Sequence, residues 1–227
     1  PSFCQLEFSR DTVFLDTVFT NIGSATYNLR VYNRGTKDIT IPAIALERGA
    51  SSNYRLNVDG IPGKDFQNID ILAKDSIFVF VETTVDISSV SSPLYTDRIL
   101  FDNGMNQQRV ELITLVQDAN FIYPGRDPFT LKIDSLTLDG EATTIKGRFL
   151  TNEELTFTNT KPTVIYGYAA VSSNSTLTIL PGAKVYFHDN SGLIIDKDAS
   201  LKVNGTLNEK VVFEGDRLEN SFSTLPG

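Results

Sequence analysis

The chain has only one cysteine and one histidine in 227 residues. A single cysteine cannot form a disulfide within the chain, and one cysteine with one histidine cannot supply the ligands of a structural zinc site. Cys4 lies in the alternating segment 3–8, which is typical of a strand. We therefore expect a structural thiol at Cys4. The alternative is a reactive or lipid-bearing cysteine, as in a lipoprotein.

Long apolar runs and an excess of basic residues are also missing. No run approaches the ~20 apolar residues that a membrane-spanning helix needs, so no membrane span is expected. The 28 acidic residues outnumber the 20 basic ones and give a net charge of -8. Because nucleic acids are bound largely through lysine and arginine, nucleic acid is not an expected partner.

Helical periodicity is almost absent, and residues 1–118 instead carry short runs in which apolar and polar residues alternate. Leu29 and Val31, for example, are expected to face inward while Asn28 and Arg30 face outward. Turn residues separate the runs, which is the pattern of an immunoglobulin-like β-sandwich rather than of helices. The runs are 3–8, 12–19, 26–33, 39–46, 54–58, 76–85, 98–101 and 109–116.

Two segments of this first half carry a family resemblance. Residues 31–41 have the pattern V-x-N-x-G followed by I-x-I, and residues 71–81 continue with a turn and a long alternating strand. These segments resemble the core of Hydin-type immunoglobulin-like domains. The resemblance covers about residues 6–117 and implies a fold rather than a function.

The pattern loosens between 119 and 162, where Pro124-Gly125 and Asp139-Gly140 are among the turn signals. Three short alternating runs remain, at 131–138, 143–150 and 155–158. We predict a connector or cap of short strands over 119–162, which covers the first layer of the segment that follows.

A short internal repeat begins near residue 169. Apolar residues recur every eight positions, each with a second apolar residue two positions later, and a two-residue insertion then shifts the last pair to Val211 and Phe213. Strands this short suit a parallel β-helix, in which three of them form one coil, so 163–227 is predicted to begin such a helix. The alternative is a short antiparallel meander. The pairs are Leu177 and Ile179, Val185 and Phe187, Leu193 and Ile195, and Leu201 and Val203.

The segments 177–187, 199–206 and 211–213 resemble right-handed parallel β-helix proteins of bacterial surfaces. Together with the first half, the whole chain resembles a Bacteroidota family of secreted or outer-membrane-anchored surface proteins. The resemblance implies an extracytoplasmic location and coils that continue past Gly227. An uncovered last coil is a pairing hazard, so we expect either self-association through the open end of the β-helix or a longer natural chain.

No catalytic, cofactor-binding or metal-binding residues are predicted. His188 is the only histidine, and the adjacent Asp189 points to the opposite side of a strand, so a histidine at a turn is expected. Carboxylates cluster at three places, but none has the spacing of a calcium loop, and solvated turns are the interpretation adopted. The clusters are Asp59, Asp65 and Asp70; Asp189, Asp196 and Asp198; and Glu214, Asp216 and Glu219.

The function expected from these observations is that of a non-enzymatic cell-surface or secreted module for structure or binding, with adhesion to a polysaccharide or to another surface protein. The alternative is the N-terminal portion of a β-helix carbohydrate-active enzyme, a polysaccharide lyase or glycosidase, whose catalytic coils lie outside this chain. Fold analogy alone supports the alternative.

Overall fold

The computed structural model describes residues 6–102, 104 and 106–218, and it divides the chain into two compact units, Pro1–Gln117 and Asp118–Gly227. The described residues are all-β: strands alternate with turns and three short 3-10 turns, and these residues contain no α-helix. The predicted all-β class is confirmed. Cys4, and with it the start of the predicted strand 3–8, lies outside the described residues.

The first unit consists of two five-stranded sheets. Sheet A has the order β1-β3-β8-β5-β6, and sheet B has the order β2-β10-β9-β4-β7. All neighbours are antiparallel except β2 and β10, which run parallel. The strands are β1 (Glu7–Phe8), β2 (Thr12–Phe19), β3 (Tyr27–Tyr32), β4 (Ile39–Leu46), β5 (Tyr54–Val58), β6 (Ile61–Gly63), β7 (Asp65–Ile71), β8 (Ser76–Thr83), β9 (Leu94–Phe101) and β10 (Gln108–Gln117).

One apolar core lies between sheets A and B. Leu29 and Val31 of sheet A and Val13 and Leu112 of sheet B all belong to it, and each is 0% exposed. Asn28 and Arg30, which alternate with the buried residues of β3, are exposed. The side chains of β3 therefore face as the alternation predicts, because successive residues of a strand point to opposite sides.

Strand β7 was missing from the sequence prediction. Its apolar residues, Phe66, Ile69 and Ile71, are not evenly spaced in the sequence, and Asn68, between the first two, adopts a positive φ of 53°. In the antiparallel register of β4 and β7, Ile41 lies opposite Ile69 and Ala43 lies opposite Gln67. Asn68 therefore lies opposite Pro42, which has no backbone N–H group to donate. This irregularity hides the strand from a test for strict alternation.

The second unit consists of three smaller sheets. Sheet C has the order β11-β15-β18-β21, sheet D the order β12-β13-β16-β19 and sheet E the order β14-β17-β20. The strands are β11 (Asn120–Ile122), β12 (Ser135–Leu138), β13 (Glu141–Phe149), β14 (Thr156–Phe157), β15 (Thr163–Ile165), β16 (Tyr168–Val171), β17 (Thr176–Ile179), β18 (Lys184–Phe187), β19 (Gly192–Ile195), β20 (Ser200–Val203) and β21 (Val212–Gly215).

From β14 to β18, each strand pairs in parallel with the third strand after it. Leu177 of β17 lies opposite Leu201 of β20, and Ala169 of β16 lies opposite Leu193 of β19. Consecutive strands belong to different sheets, so an antiparallel meander is the wrong interpretation of this segment. One apolar core is shared by the three sheets, with Ile165, Val171 and Leu177 among its fully buried residues.

The segment 119–162 supplies the first layer of the same three sheets. Strands β11, β13 and β14 pair in parallel with β15, β16 and β17, while β12 and β13 form an antiparallel pair. The sequence predicts three segments, 1–118, 119–162 and 163–227, whereas the structure has two compact units. The three-part division remains a prediction.

The insertion after Val203 is longer than the sequence indicates. Four residues, 180–183, separate β17 from β18, whereas eight, 204–211, separate β20 from β21. The insertion is therefore four residues, so that Phe213 lies opposite Val185 and Gly215 lies opposite Phe187. The pair Val211 and Phe213 was consequently assigned two positions out of register.

Candidate functional site

Four side chains form a column across sheet C of the second unit. They follow the ends of its strands at one register position, directly after the aligned residues Ile122, Ile165, Phe187 and Gly215. In-register parallel strands lie about 4.8 Å apart, so equivalent side chains come into contact. We call this set the Tyr-His-Asp column; its members are Tyr123, Tyr166, His188 and Asp216.

The rings of the column are in contact from one strand to the next. The centroids of Tyr123 and Tyr166 are 5.0 Å apart, and those of Tyr166 and His188 are 4.2 Å apart at an interplanar angle of 20°. Phe121 extends the aromatic surface along β11, with its ring centroid 5.8 Å from that of Tyr123 and the two planes nearly parallel. Tyr123 remains 49% exposed, so the end of the column on β11 faces solvent.

The other end of the column is a histidine-carboxylate pair. Nδ1 of His188 lies 2.7 Å from Oδ2 of Asp216, and the Asp216 side chain is only 9% exposed. A carboxylate next to Nδ1 favours the tautomer in which Nδ1 carries the proton and donates it, which leaves Nε2 as the acceptor of the neutral ring. The neutral imidazole therefore offers an acceptor nitrogen on a ring that stacks on that of Tyr166.

Both tyrosines of the column keep their protons well above neutral pH. Burial raises the pKa of Tyr166, and the negative charge of Asp216 raises it further because a phenolate would be repelled by the carboxylate. Burial also raises the pKa of Tyr123. Each hydroxyl is consequently a hydrogen-bond donor at physiological pH.

Arg148 holds the backbone at the solvent-facing end of the column. Its Nε donates to the carbonyl oxygen of Tyr123 at 3.0 Å, and its terminal nitrogens donate to Glu154 at 2.6 Å each in a two-pronged ion pair. The Glu154 carboxylate also accepts from the backbone N–H of Thr151 at 2.9 Å. The pair thus connects β11, β13 and the 3-10 turn Asn152–Glu154 at the first layer of the three sheets.

The hydrogen bonds from Arg148 hold the pKa of Glu154 at about 2, below its ordinary value of 4.5. Because this folded-state pKa is lowered, the stabilisation is complete above pH 4.5 and is lost as the pH falls toward 2. We predict that Glu154→Gln lowers the free energy of unfolding of the second unit by about 2 kcal/mol at pH 7. The measurement is urea denaturation of wild type and variant at several pH values.

The difference in unfolding free energy between wild type and Glu154→Gln is expected to fall to less than half of its neutral value by about pH 3. Glu153→Gln is the matched control, since Glu153 is exposed in the same 3-10 turn and should change stability by less than about 0.5 kcal/mol. If the unfolding free energy lost in Glu154→Gln is the same at pH 7 and pH 3, the ion pair with Arg148 does not lower the pKa of Glu154 as described.

The residues singled out in the sequence fall into two groups. Asp59, Asp189 and Asp198 are exposed in turns, as predicted, and Asp196 is half-buried before a turn. The prediction of turns is wrong for Asp65 and Asp70, which lie in β7, and for Glu214, which lies in β21, although all three are exposed. No group of metal-ligating side chains occurs in the part of the chain that the structure describes. Asp216 is different, since its carboxylate is largely buried against His188. Glu219 lies outside the described residues.

The partner of His188 was missed because only its chain neighbour, Asp189, was considered. The signal was present in the repeat: β18 pairs with β21, the third strand after it, and the same register places Asp216 opposite His188. The four-residue insertion displaces Asp216 from the position that an eight-residue spacing indicates.

A second exposed surface lies on sheet A of the first unit. The rings of Phe78 and Phe80 are 5.8 Å apart and each residue is 37% exposed, while the Arg30 guanidinium lies 4.5 Å from the Phe78 ring centroid. Arg34 lies 4.0 Å from the Tyr32 ring centroid and pairs with Glu7. These contacts are of the cation-π type and fix the arginine side chains on the sheet.

No family model and no curated protein matches the chain. Among solved structures, the chain is similar to a family 123 glycoside hydrolase from Clostridium perfringens analysed for glycolipid glycan hydrolysis. That structure has 9% identity and a TM-score of 0.34, and the similarity covers 48% of this chain and 23% of that one. The periplasmic chaperone SfaE has 13% identity and a TM-score of 0.30, with 50% of this chain and 58% of that one covered.

This chain therefore spans less than two thirds of either solved structure. Among the described residues, none lies in a helix that is long and apolar enough to cross a membrane.

Proposed function

We propose that the protein is an extracytoplasmic, non-enzymatic module that binds glycans through the Tyr-His-Asp column. Its architecture in this proposal is an immunoglobulin-like sandwich followed by the first coils of a right-handed parallel β-helix. The two five-stranded sheets around one core support the first part. The parallel pairing of every third strand supports the second.

The binding role is supported by one observation. An exposed aromatic ring and fixed polar groups lie side by side in the column across sheet C. A sugar ring has an apolar face of C–H groups and a rim of hydroxyls. Tyr123, half-exposed beside Phe121, offers a flat aromatic surface for the C–H groups. Nε2 of the neutral His188 ring offers an acceptor for a hydroxyl hydrogen. Asp216 holds this ring by accepting from Nδ1, and it also accepts from the Tyr166 hydroxyl.

The ligand class expected is a neutral oligosaccharide. The column contains a carboxylate but no cationic partner for an acidic sugar apart from the histidine, and the chain carries a net charge of -8. An anionic glycan would be repelled by Asp216 and by the overall charge. Fragments of neutral polysaccharides are therefore the ligands to test first.

The non-enzymatic part of the proposal rests on the state of the carboxylate. Glycosidases use two carboxyl groups on either side of the scissile bond. The column offers one, Asp216, which is already bound to His188 and lies near the Tyr166 hydroxyl. The alternative, an enzyme whose catalytic coils lie outside this chain, predicts cleavage by the longer protein and none by these residues.

An extracytoplasmic surface location is part of the proposal because the sequence resembles Bacteroidota surface proteins. The lone cysteine, the acidic balance and the turn-rich β architecture are consistent with a secreted or surface-anchored module. A polysaccharide or another surface protein is the partner class that such a location offers.

We predict that Tyr123→Ala weakens binding to neutral oligosaccharides at least tenfold, because it removes the exposed aromatic face. A tenfold change is about 1.4 kcal/mol, within the range for one ring contact. A glycan array of neutral and acidic oligosaccharides selects the ligand, and isothermal titration calorimetry measures its dissociation constant for wild type and variant.

Phe14→Ala serves as the matched control for this comparison. Phe14 is 59% exposed on β2 of the first unit, so its removal deletes an exposed ring outside the column. The control should bind as wild type does, and Tyr123→Phe should retain most of the affinity. Equal affinities for Tyr123→Ala and wild type would show that the column is not the binding site.

A further inference from the structure

The outer face of sheet A carries a pair of exposed aromatic rings. Phe78 and Phe80 lie on either side of Val79 in β8, and Val79 is 0% exposed in the core. Because successive residues of a strand point to opposite sides, both phenylalanines point away from the core. Their rings are nearly parallel, at an interplanar angle of 11°, and each residue is 37% exposed. We call these two rings the Phe78–Phe80 shelf.

The strands on both sides of β8 place polar side chains next to the shelf. Asn28 of β3 and Asn57 of β5 both lie opposite Phe80, and Arg30 of β3 lies opposite Phe78. Residues that lie opposite each other in antiparallel strands share one face of the sheet. Two amides and one guanidinium group therefore border the aromatic rings on the outer face.

Arg30 is a cation without a carboxylate partner. It is exposed, and in the part of the chain that the structure describes it takes part in none of the ion pairs. Its guanidinium carbon instead lies 4.5 Å from the ring centroid of Phe78 and 5.9 Å from that of Tyr32. Such a contact leaves the N–H groups as donors, and the planar guanidinium can bind a carboxylate through two parallel hydrogen bonds.

The other two arginines of this surface are already neutralised. Arg34 pairs with Glu7 at 3.0 Å, and Arg55 pairs with Glu82 at 3.7 Å. The net charge of -8 on the whole chain does not prevent an anion from binding at Arg30, because charges are screened beyond about 8 Å at physiological ionic strength. The unpaired charge of Arg30 therefore favours an anionic group on the β3 side of the shelf.

The amides on either side of Phe80 supply the remaining polar groups. Oδ1 of Asn57 is buried and accepts no hydrogen bond among the described residues. A buried acceptor without a partner is unfavourable, so a ligand hydroxyl that donates to this amide would relieve the cost. Asn28, on the other side of Phe80, is exposed. A ligand that lies across Phe80 consequently meets two amides, each able to donate and to accept a hydrogen bond.

We infer that the outer face of sheet A binds an acidic oligosaccharide, one that contains uronic acid residues. The C–H faces of the sugar rings contact the Phe78–Phe80 shelf, the sugar carboxylate accepts from Arg30, and the hydroxyls bond to Asn28 and Asn57. An acidic peptide fits less well, because an extended peptide binds through free backbone groups at the edge of a sheet. Strand β8 is paired on both sides, with β3 and β5, and has no free edge.

This inference does not rest on the proposed function. The shelf belongs to the first unit and the Tyr-His-Asp column to the second. The two sites also select ligands of opposite kind, since the column favours neutral sugars and Arg30 favours acidic ones. Tyr123→Ala should leave the binding of an acidic oligosaccharide unchanged, and a variant of Arg30 should leave the binding of a neutral one unchanged.

The test is isothermal titration calorimetry with oligosaccharides of galacturonate, alginate and hyaluronan. Each is compared with its methyl ester, in which the same sugar chain has lost its negative charges. At least one acidic oligosaccharide is expected to bind to wild type, and its methyl ester is expected to bind at least tenfold more weakly. The affinity for the acidic form should fall with added salt, because an ion pair in contact with solvent is screened.

Arg30→Gln is expected to weaken binding of the acidic oligosaccharide at least tenfold. Arg109→Gln is the matched control, because Arg109 is an exposed arginine on β10 of sheet B and its replacement changes the net charge by the same amount. This control should bind as wild type does. Phe80→Ala, which keeps Arg30, is expected to weaken binding at least fivefold through loss of an aromatic face.

Four results overturn the inference. The first is that none of the three acidic oligosaccharides binds, and the second is that acid and methyl ester bind equally. The third is an affinity that is the same in wild type and Arg30→Gln, or that Tyr123→Ala abolishes, since the acidic sugar then does not use this face. The fourth is binding of polyglutamate as tight as that of the sugar, together with an unchanged affinity in Phe80→Ala, which shows that charge alone is recognised.

Discussion

Replacing Gly147 with alanine is expected to destabilise the second unit by about 4 kcal/mol or more, enough to unfold it. Gly147 lies in β13 opposite Tyr168 of β16. A Cβ atom at this glycine would lie 2.1 Å from the carbonyl oxygen of Tyr168 and 2.9 Å from its carbonyl carbon. These are backbone atoms of a paired strand and cannot rotate away, so the first two layers of sheet D must separate.

The measurement is chemical denaturation followed by circular dichroism, with hydrogen exchange to assign the loss to the second unit. Gly215→Ala is the matched control, because Gly215 also lies in a parallel strand and a Cβ atom there meets nothing within 4 Å. The control is expected to change stability by less than about 1 kcal/mol. Similar stabilities for the two variants would contradict the packing described for sheet D.

Asn33→Ala is expected to destabilise the first unit by about 2 to 4 kcal/mol. Asn33 is 1% exposed, and its side-chain nitrogen donates to the carbonyl oxygens of Lys37, Ile71 and Leu72 at 2.8 to 3.1 Å. Its side-chain oxygen accepts from the backbone N–H of Gly35 at 3.0 Å. Alanine removes all of these bonds and leaves the backbone groups without this partner in a site that water does not reach freely.

Asn28→Ala is the control for this prediction, since Asn28 is exposed on the outer face of β3, the strand that Asn33 directly follows. It should change the free energy of unfolding by less than about 0.5 kcal/mol. Urea denaturation of both variants gives the comparison. A cost for Asn33→Ala below about 1 kcal/mol would mean that the side chain does not hold the turns together as described.

Local pattern was sufficient to predict most of the strands and the parallel repeat. The alternation in β3 placed Leu29 and Val31 inside, and the eight-residue spacing placed Leu177 and Val185 in the core. The first prediction depends on the two-residue period of a strand and the second on a short internal repeat, and both can be recognised in the sequence alone.

Features that depend on irregular backbone or on contacts between paired strands that are distant in the sequence were not predicted. The positive φ of Asn68 hid β7, and the longer turn before β21 hid the true partner of Phe213. The contact between His188 and Asp216 joins residues 28 positions apart and becomes visible only when β18 and β21 are aligned in their parallel register. Asn33 illustrates the same limit, because the carbonyls that it binds come from two separate turns.

The central claim, that the Tyr-His-Asp column binds a neutral glycan without cleaving it, can be tested in one proton NMR titration. His188 is the only histidine in the chain, so its imidazole signals are recognised without assigning the rest of the spectrum. On addition of the neutral oligosaccharide that binds most tightly on the array, these signals are expected to shift saturably while the oligosaccharide spectrum remains that of the intact sugar. Binding that leaves the His188 signals unmoved, or the appearance of new reducing ends, contradicts the claim.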